Sequence, residues 1–255
     1  MQKVRLRSFA LAAAIGVLAA PAAMGQQSYP LYFPANAEDL PYGHFWFYRA
    51  HHSIQGANAN DFRGIRYNET TKKWEMDQHD PTVLRSDTVL WSVPVYASAD
   101  GEVISCWREF SDGQNGINPF NAGVQTNGGN HLLIRNSDGN AVFYAHFQKN
   151  SIPTSLCPNT GPIGVPSNIN NMSGSFPAEY IVPAGQRATV KAGQFLGRVG
   201  HSGFSSGPHL HIHVQQINEN NGVFTSGPTI PHRFYGASKV QGYSDGDISE
   251  NWTSV

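Results

Sequence analysis

The sequence predicts an all-β protein of mostly antiparallel strands, and three observations carry that expectation. Gly 26 and Pro 16 in 255 residues, with abundant Asn and Ser, make a turn-rich chain. From Val93 onward, short apolar runs alternate with turn signals. Beyond the first 25 residues, no stretch repeats apolar residues at the three-to-four spacing of an amphipathic helix.

The N-terminus stands apart. Residues 1–25 run from basic (MQKVRLR) through apolar (FALAAAIGVLAA) to small residues (PAAMG), the order of a secretory signal cleaved near Gly25. The apolar run is too short to span a bilayer comfortably. The expected mature chain is exported, to the periplasm or beyond, with no membrane span. Loss of Lys3, Arg5 and Arg7 takes the formal charge from −1 to −4. No basic stripe is present, which excludes nucleic acid as a partner.

Residues 26–50 are aromatic and Pro-rich without helical periodicity and read as a lead-in segment packed on the core. A main domain is expected over 51–221, with insertions at about 63–90 and 151–181. Within 63–90 the polar NETTKKWEMDQHDPT reads as an exposed loop or hairpin. The runs VPVYAS and ADGEVISCW flank an Asp100-Gly101 turn, and HLLIR and AVFYAHF flank Ser137–Asn140. Residues 151–181 lack any period and read as a long loop, which in a compact domain points to a functional border. VKAGQFLGRVG and PHLHIHVQQI supply two more strands around a Gly/Ser loop. The segment 222–255 reads as an extension with one edge strand near PHRFYG. The two cysteines, Cys106 and Cys157, are an even count in an exported chain and predict a disulfide.

The chemistry starts at PHLHIHV. On a strand, alternate side chains share a face, so His209, His211 and His213 line one surface. Three imidazoles there are a candidate metal or catalytic ladder. A catalytic zinc site takes three protein ligands and leaves a fourth position open. One strand cannot supply them all. His51, His52, His79, His131, His146, His201, Asp61, Asp80 and Asp100 are candidates, and the residues alone do not select among them.

GRVGHSGFSSGPHLHIHV resembles the signature segment of lysostaphin/LytM-type zinc endopeptidases. VFYAHF resembles their Tyr-x-His strand, VPVYASADGEVIS the strand and turn before it, and VKAGQFLGRVG the run into the signature. The blocks follow the family's order over about 93–217. The resemblance implies a barrel-sandwich hybrid whose sheets form a groove, and one Zn2+ per chain. It implies His211 as a zinc ligand, with His209 and His146 as the catalytic pair. It also implies a His and an Asp ligand upstream. HSIQGANANDF is similar to a longer form of that segment and assigns His52 and Asp61. His51, or His79 with Asp80 or Asp87, stay open as alternatives. The commonest His-x-x-x-Asp spacing is absent, since Ala57 lies four residues before Asp61. Position 213, acidic in such enzymes, is histidine here, and His213 is a candidate to orient His211 from behind. The implied substrate is a cell-wall peptide, with a regulatory protein as a possible partner. The alternative is a LytM-like module that binds without cleaving.

Overall fold

The protein, described here by a computed structural model, is defined over residues 28–50, 58–76, 81–118, 127–159, 174–175, 180–221, 223–235, 238–240, 243–244, 247–248 and 252–254. The expected signal segment lies outside them.

The strands in chain order are β1 (Tyr29–Tyr32), β2 (His44–Ala50), β3 (Asn60–Asn68), β4 (Lys73–Glu75), β5 (Pro94–Tyr96), β6 (Gly101–Trp107) and β7 (His131–Arg135). They continue as β8 (Asn140–Ala145), β9 (Gly174–Ser175), β10 (Thr189–Val190), β11 (Phe195–Arg198), β12 (Leu210–Asn220), β13 (Val223–Ile230) and β14 (His232–Tyr235). Two small ladders, 238–240 with 252–254 and 243–244 with 247–248, follow. The described helices are single 3-10 turns, and none is long and apolar enough to cross a membrane.

The main sheet runs β10-β6-β7-β8-β12 and is antiparallel throughout. At 11 residues, β12 is the longest strand, and its far edge is shared. Its first residues pair with β3, Leu210 opposite Phe62, His211 opposite Asp61 and Ile212 opposite Asn60. From Val214 onward the same edge pairs with β13. β2 and β4 then extend the sheet from β3.

Alternation sorts the side chains. Leu132, Ile134, Val142, Tyr144, Leu210, Ile212 and Val214 project to one face and form the large apolar core with Val95, Leu196 and Leu31. Leu133, Ala141, Phe143 and Ala145 project to the other and pack with Ile104 and Phe224. Both faces are therefore buried, and the histidines of β12 share the second one.

Several expectations are met. β7 and β8 form a hairpin closed by a turn with Gly139 at φ +85°. β3 and β4 form the hairpin expected in the polar stretch. β14 supplies the strand near PHRFYG, but the segment 222–255 holds more than the one strand expected, since β13 pairs with β12 and two small ladders follow. Cys106 and Cys157 are bonded, with Cα atoms 5.6 Å apart.

Others are corrected. The Asp100-Gly101 turn does not join a hairpin, because β5 pairs with β11 whereas β6 pairs with β7 and β10. Gly101 is needed for close approach, since a Cβ there would lie 2.6 Å from Ile134 Cγ2 and 2.7 Å from the Arg135 carbonyl. Asp100 instead accepts hydrogen bonds from Lys191 Nζ and the Ala192 amide, each at 2.8 Å. The lead-in packs on the core as expected, and it does so as strands. β1 pairs in parallel with β14, and β2 belongs to the main sheet. Phe33, Phe62 and Phe234 meet edge to face, with centroids 5.1 to 5.9 Å apart. Such pairs contribute about 0.5–1.5 kcal/mol each beyond burial. They clamp β3 from behind, one residue from Asp61.

The disulfide closes a span of 51 residues. Chain-entropy arithmetic gives about 4 kcal/mol for a loop of that size. The Cys106→Ala/Cys157→Ala double variant is expected to lose about that much stability in urea unfolding, with a somewhat larger m-value because the unfolded chain without the link exposes more surface. A loss below about 1 kcal/mol would mean that the reduced unfolded chain already holds this loop closed.

Candidate metal centre

The site is assembled by strand register. His211, His213 and Gln215 alternate along β12 and stand opposite Ala145, Phe143 and Ala141 of β8. On the other edge Asp61 stands directly opposite His211, and directly paired residues share a face. A carboxylate 150 residues away in sequence is thus brought to 3.0 Å, Asp61 Oδ1 to His211 Nδ1. His209 immediately precedes β12, and its Nε2 lies 3.6 Å from the same oxygen.

His146 arrives differently. It follows the last residue of β8, and a strict two-residue period would send its ring to the Tyr144 face, into the apolar core. Its backbone instead takes φ +65°, a left-handed conformation uncommon outside glycine. The alternation breaks there. The ring swings beside His209 and His211, at centroid distances of 4.5 and 5.9 Å. The preceding loop supports it. The His146 amide donates to the Gly128 carbonyl at 2.9 Å, and Gly129, at φ +56°, would place a Cβ 2.4 Å from the Ser202 carbonyl carbon. Only glycine permits that approach.

Protonation follows from the carbonyls. A carbonyl oxygen only accepts, so an imidazole nitrogen facing one carries the proton. His146 Nδ1 faces Ser202 O at 2.7 Å, and His209 Nδ1 faces Gly207 O at 2.8 Å. Burial drives His209 down to about 4, against the opposing pull of Asp61. Burial, reinforced by His209 and His211, holds His146 well below its ordinary value. Both rings are therefore neutral, with the proton on Nδ1 and the lone pair on Nε2.

Asp61, His146, His209 and His211 are all buried, exposed by 1 to 4%. Behind His211, His213 Nδ1 lies 3.0 Å from His211 Nε2, and Gln215 Oε1 lies 3.2 Å from His213 Nε2. His201, one of the ligand candidates in the sequence, is fully buried, with Nε2 on the carbonyls of Gln114 and Ile117 at 2.9 Å each. Ser205 Oγ lies between it and His209, at 2.7 and 3.2 Å. His131 shares the face but donates Nδ1–H to Gly129 O and packs on Phe143 and Tyr180. His232 bonds to Asn60 next to the site. Ser202, Ser205, Gly128, Gly129 and Gln215 were not singled out by the sequence reading. Extending the β12 alternation one step past His213 reaches Gln215; the others carry no comparable sequence signal.

The pair His211 and Asp61 fits a zinc ion. Two ligand atoms at about 2.0–2.1 Å from a tetrahedral ion stand about 3.3 Å apart, close to the observed separation. Among the described residues no group of three or more His, Cys, Asp or Glu side chains is arranged to hold a metal ion. His52, the third ligand expected from sequence, lies outside the described residues, as do His51, His79 and Asp80. Asp87, the partner weighed with His79, is exposed on a separate 3-10 turn.

Burial makes stability pH-dependent. His131 is driven down to about 4 by burial, and His209 likewise. Such rings bind protons more readily unfolded, near pKa 6.5, than folded. Their contribution is complete above pH 6.5 and falls as pH drops toward 4, by about 1.4 kcal/mol per pH unit for each ring. In urea unfolding of the metal-free protein, His131→Gln is expected to reduce the slope over this window by one ring's share. An unchanged slope would mean that His131 titrates alike folded and unfolded.

No protein-family model and no curated protein matches the chain. Solved structures do. The catalytic domain of the prophage-encoded M23 protein EnpA from Enterococcus faecalis matches at 17% identity and TM-score 0.35, over 75% of this chain and 92% of that one. The catalytic domain of the antimicrobial peptidase lysostaphin from Staphylococcus simulans matches at 18% and 0.32, over 73% and 88%. The deep-sea M23 metalloprotease pseudoalterin matches at 16% and 0.34, over 81% and 100%. The chain is similar to each of these at low identity.

Proposed function

We propose that the chain is an exported zinc-dependent endopeptidase that hydrolyses peptide bonds, with peptidoglycan cross-links as the substrate class. One observation carries the reading. His211 Nδ1 and His209 Nε2 lie 3.0 and 3.6 Å from the same oxygen, Asp61 Oδ1, and the His146 ring packs on His209. These groups come from separate strand ends. Arg63 pairs with the other carboxylate oxygen, Oδ2, at 3.8 Å, and Oδ1 is turned to the imidazoles, a buried grouping that a cation or a reacting group would complete.

In this reading His211 and Asp61 hold the zinc, with His52 as the third ligand. A bound zinc ion supplies Lewis acidity and lowers the pKa of water from 15.7 to about 7. The remaining work belongs to the chain. His209 and His146 each offer an unprotonated Nε2 toward the centre, the form required of a general base. After accepting a proton, either ring becomes a donor to the leaving amine or to negative charge developing on the substrate carbonyl. Backbone carbonyls of Gly207 and Ser202 hold the two rings in the tautomer that this requires.

A second reading is a LytM-like module that binds cell-wall peptides or a partner protein without cleaving them. The near-complete burial of all four groups favours it, because a peptide carbonyl must reach the centre for catalysis.

The test is digestion of purified sacculi with and without a chelator, followed by mass analysis. Chelator-sensitive release of muropeptides is expected. Release that ignores the chelator would defeat the mechanism, and none at all would favour the binding module. His146→Ala and His209→Ala are each expected to lower turnover by at least about 10²-fold while zinc stays near one per chain. Asp61→Ala is expected to lose the metal. Zinc loss in either histidine variant would reassign that residue as a ligand.

A further inference from the structure

Behind the proposed metal ligand His211 runs a buried line of polar groups that ends in a glutamine. Asp61 Oδ1, His211 Nδ1 and Nε2, His213 Nδ1 and Nε2, and Gln215 Oε1 follow one another at 3.0, 3.0 and 3.2 Å. His213 and Gln215 are fully buried. Gln215 Nε2 has no hydrogen-bond partner among the described residues, so turning the amide over breaks no second bond there.

A neutral imidazole has one proton, which couples the three links. Every hydrogen bond must then run in the same direction. In the inward arrangement Gln215 donates to His213 Nε2, His213 Nδ1–H donates to His211 Nε2, and His211 Nδ1–H donates to Asp61. That state makes all three links without a metal, and His211 Nδ1, carrying its proton, cannot ligate. In the outward arrangement His211 Nε2–H donates to His213 Nδ1, and His213 Nε2–H donates to the Gln215 carbonyl. The His211 Nδ1 lone pair then faces Asp61 Oδ1 at 3.0 Å, two acceptors that repel unless a cation lies between them; the Arg63 guanidinium pairs with the other oxygen, Oδ2, at 3.8 Å.

The geometry points to Gln215 as a positioning residue for the metal: its amide, read through His213, sets whether His211 offers a proton or a lone pair to the site. The inference rests on the reading of His211 and Asp61 as metal ligands. Loading reverses the line without a net change of protons, because the one leaving His211 Nδ1 is matched by one gained at His213 Nε2. An acid at position 213 would accept from His211 unconditionally. Histidine there is amphoteric, so it passes the choice to the next residue on the same face. The amide group, able to present either a carbonyl or an NH2, is suited to both states.

The test uses the full mature chain labelled with 15N at histidine, with zinc alone as the probe. Long-range 1H–15N spectra report each tautomer, and competition with a chelator reports affinity. On loading, His213 is expected to change from Nδ1–H to Nε2–H. Gln215→Met, close in volume, leaves the buried His213 Nε2–H of the loaded state without an acceptor and is expected to bind zinc about 10-fold more weakly, the low end of the loss when a direct partner of a ligating histidine is removed. Gln215→Glu, able only to accept, is expected to restore the affinity and hold His213 as Nε2–H even without metal. Thermal unfolding of the metal-free variants checks that each is folded. One zinc per chain with an unchanged His213 tautomer, or with wild-type affinity in Gln215→Met, would overturn the role of Gln215 and leave the metal reading intact. No stoichiometric zinc in the folded wild type would overturn both.

Discussion

The structure of the site depends on one register, that of β3 against the first residues of β12. Because strand side chains alternate, a slip of one residue would turn Asp61 into the apolar core and bring Asn60 or Phe62 to the histidine face. The register is held away from the chemistry. Phe62 points to the opposite face and is clamped by Phe33, just after β1, and Phe234, in β14. The parallel pairing of β1 with β14 joins the two. An apolar cluster behind the sheet thereby fixes the position of a carboxylate in front of it.

The same edge of β12 is used twice. β3 occupies its beginning and β13 its remainder, so the histidine end meets a strand from the start of the chain and the tail meets the one that follows. Functional side chains and their support are divided accordingly. His211 faces Asp61 where β3 is present, and the line through His213 and Gln215 runs back toward the β13 half.

Burial governs the electrostatics. Removed from water, an imidazole resists protonation, and the neutral form must find a partner for its single N–H. In His146 and His209 that partner is a backbone carbonyl, which leaves no freedom in the tautomer. In His211 and His213 it is another ring, which leaves the direction to be settled at the ends of the line. The site therefore combines two rings of fixed orientation with two whose protons move together. The left-handed backbone of His146 belongs to the same design, since a local break in alternation moves a strand-end ring from the core face to the site.

The sequence alone determined the all-β class, the β7–β8 hairpin, the strand carrying His211 and the cysteine pair, because these rest on alternation, turn chemistry and parity along a short stretch. A histidine at every second position of PHLHIHV marks a shared face wherever that strand packs. The sequence could not determine that the Asp100-Gly101 turn separates two sheets, since a glycine demanded by close packing looks the same as one demanded by a turn. It could not direct His146 to its neighbours, because the strand period points the other way. Nor could it rank Gln215, whose importance arises only once two rings and a carboxylate are in line with it. Local periodicity fixes which face a residue occupies; only the pairing of distant strands decides what that face meets.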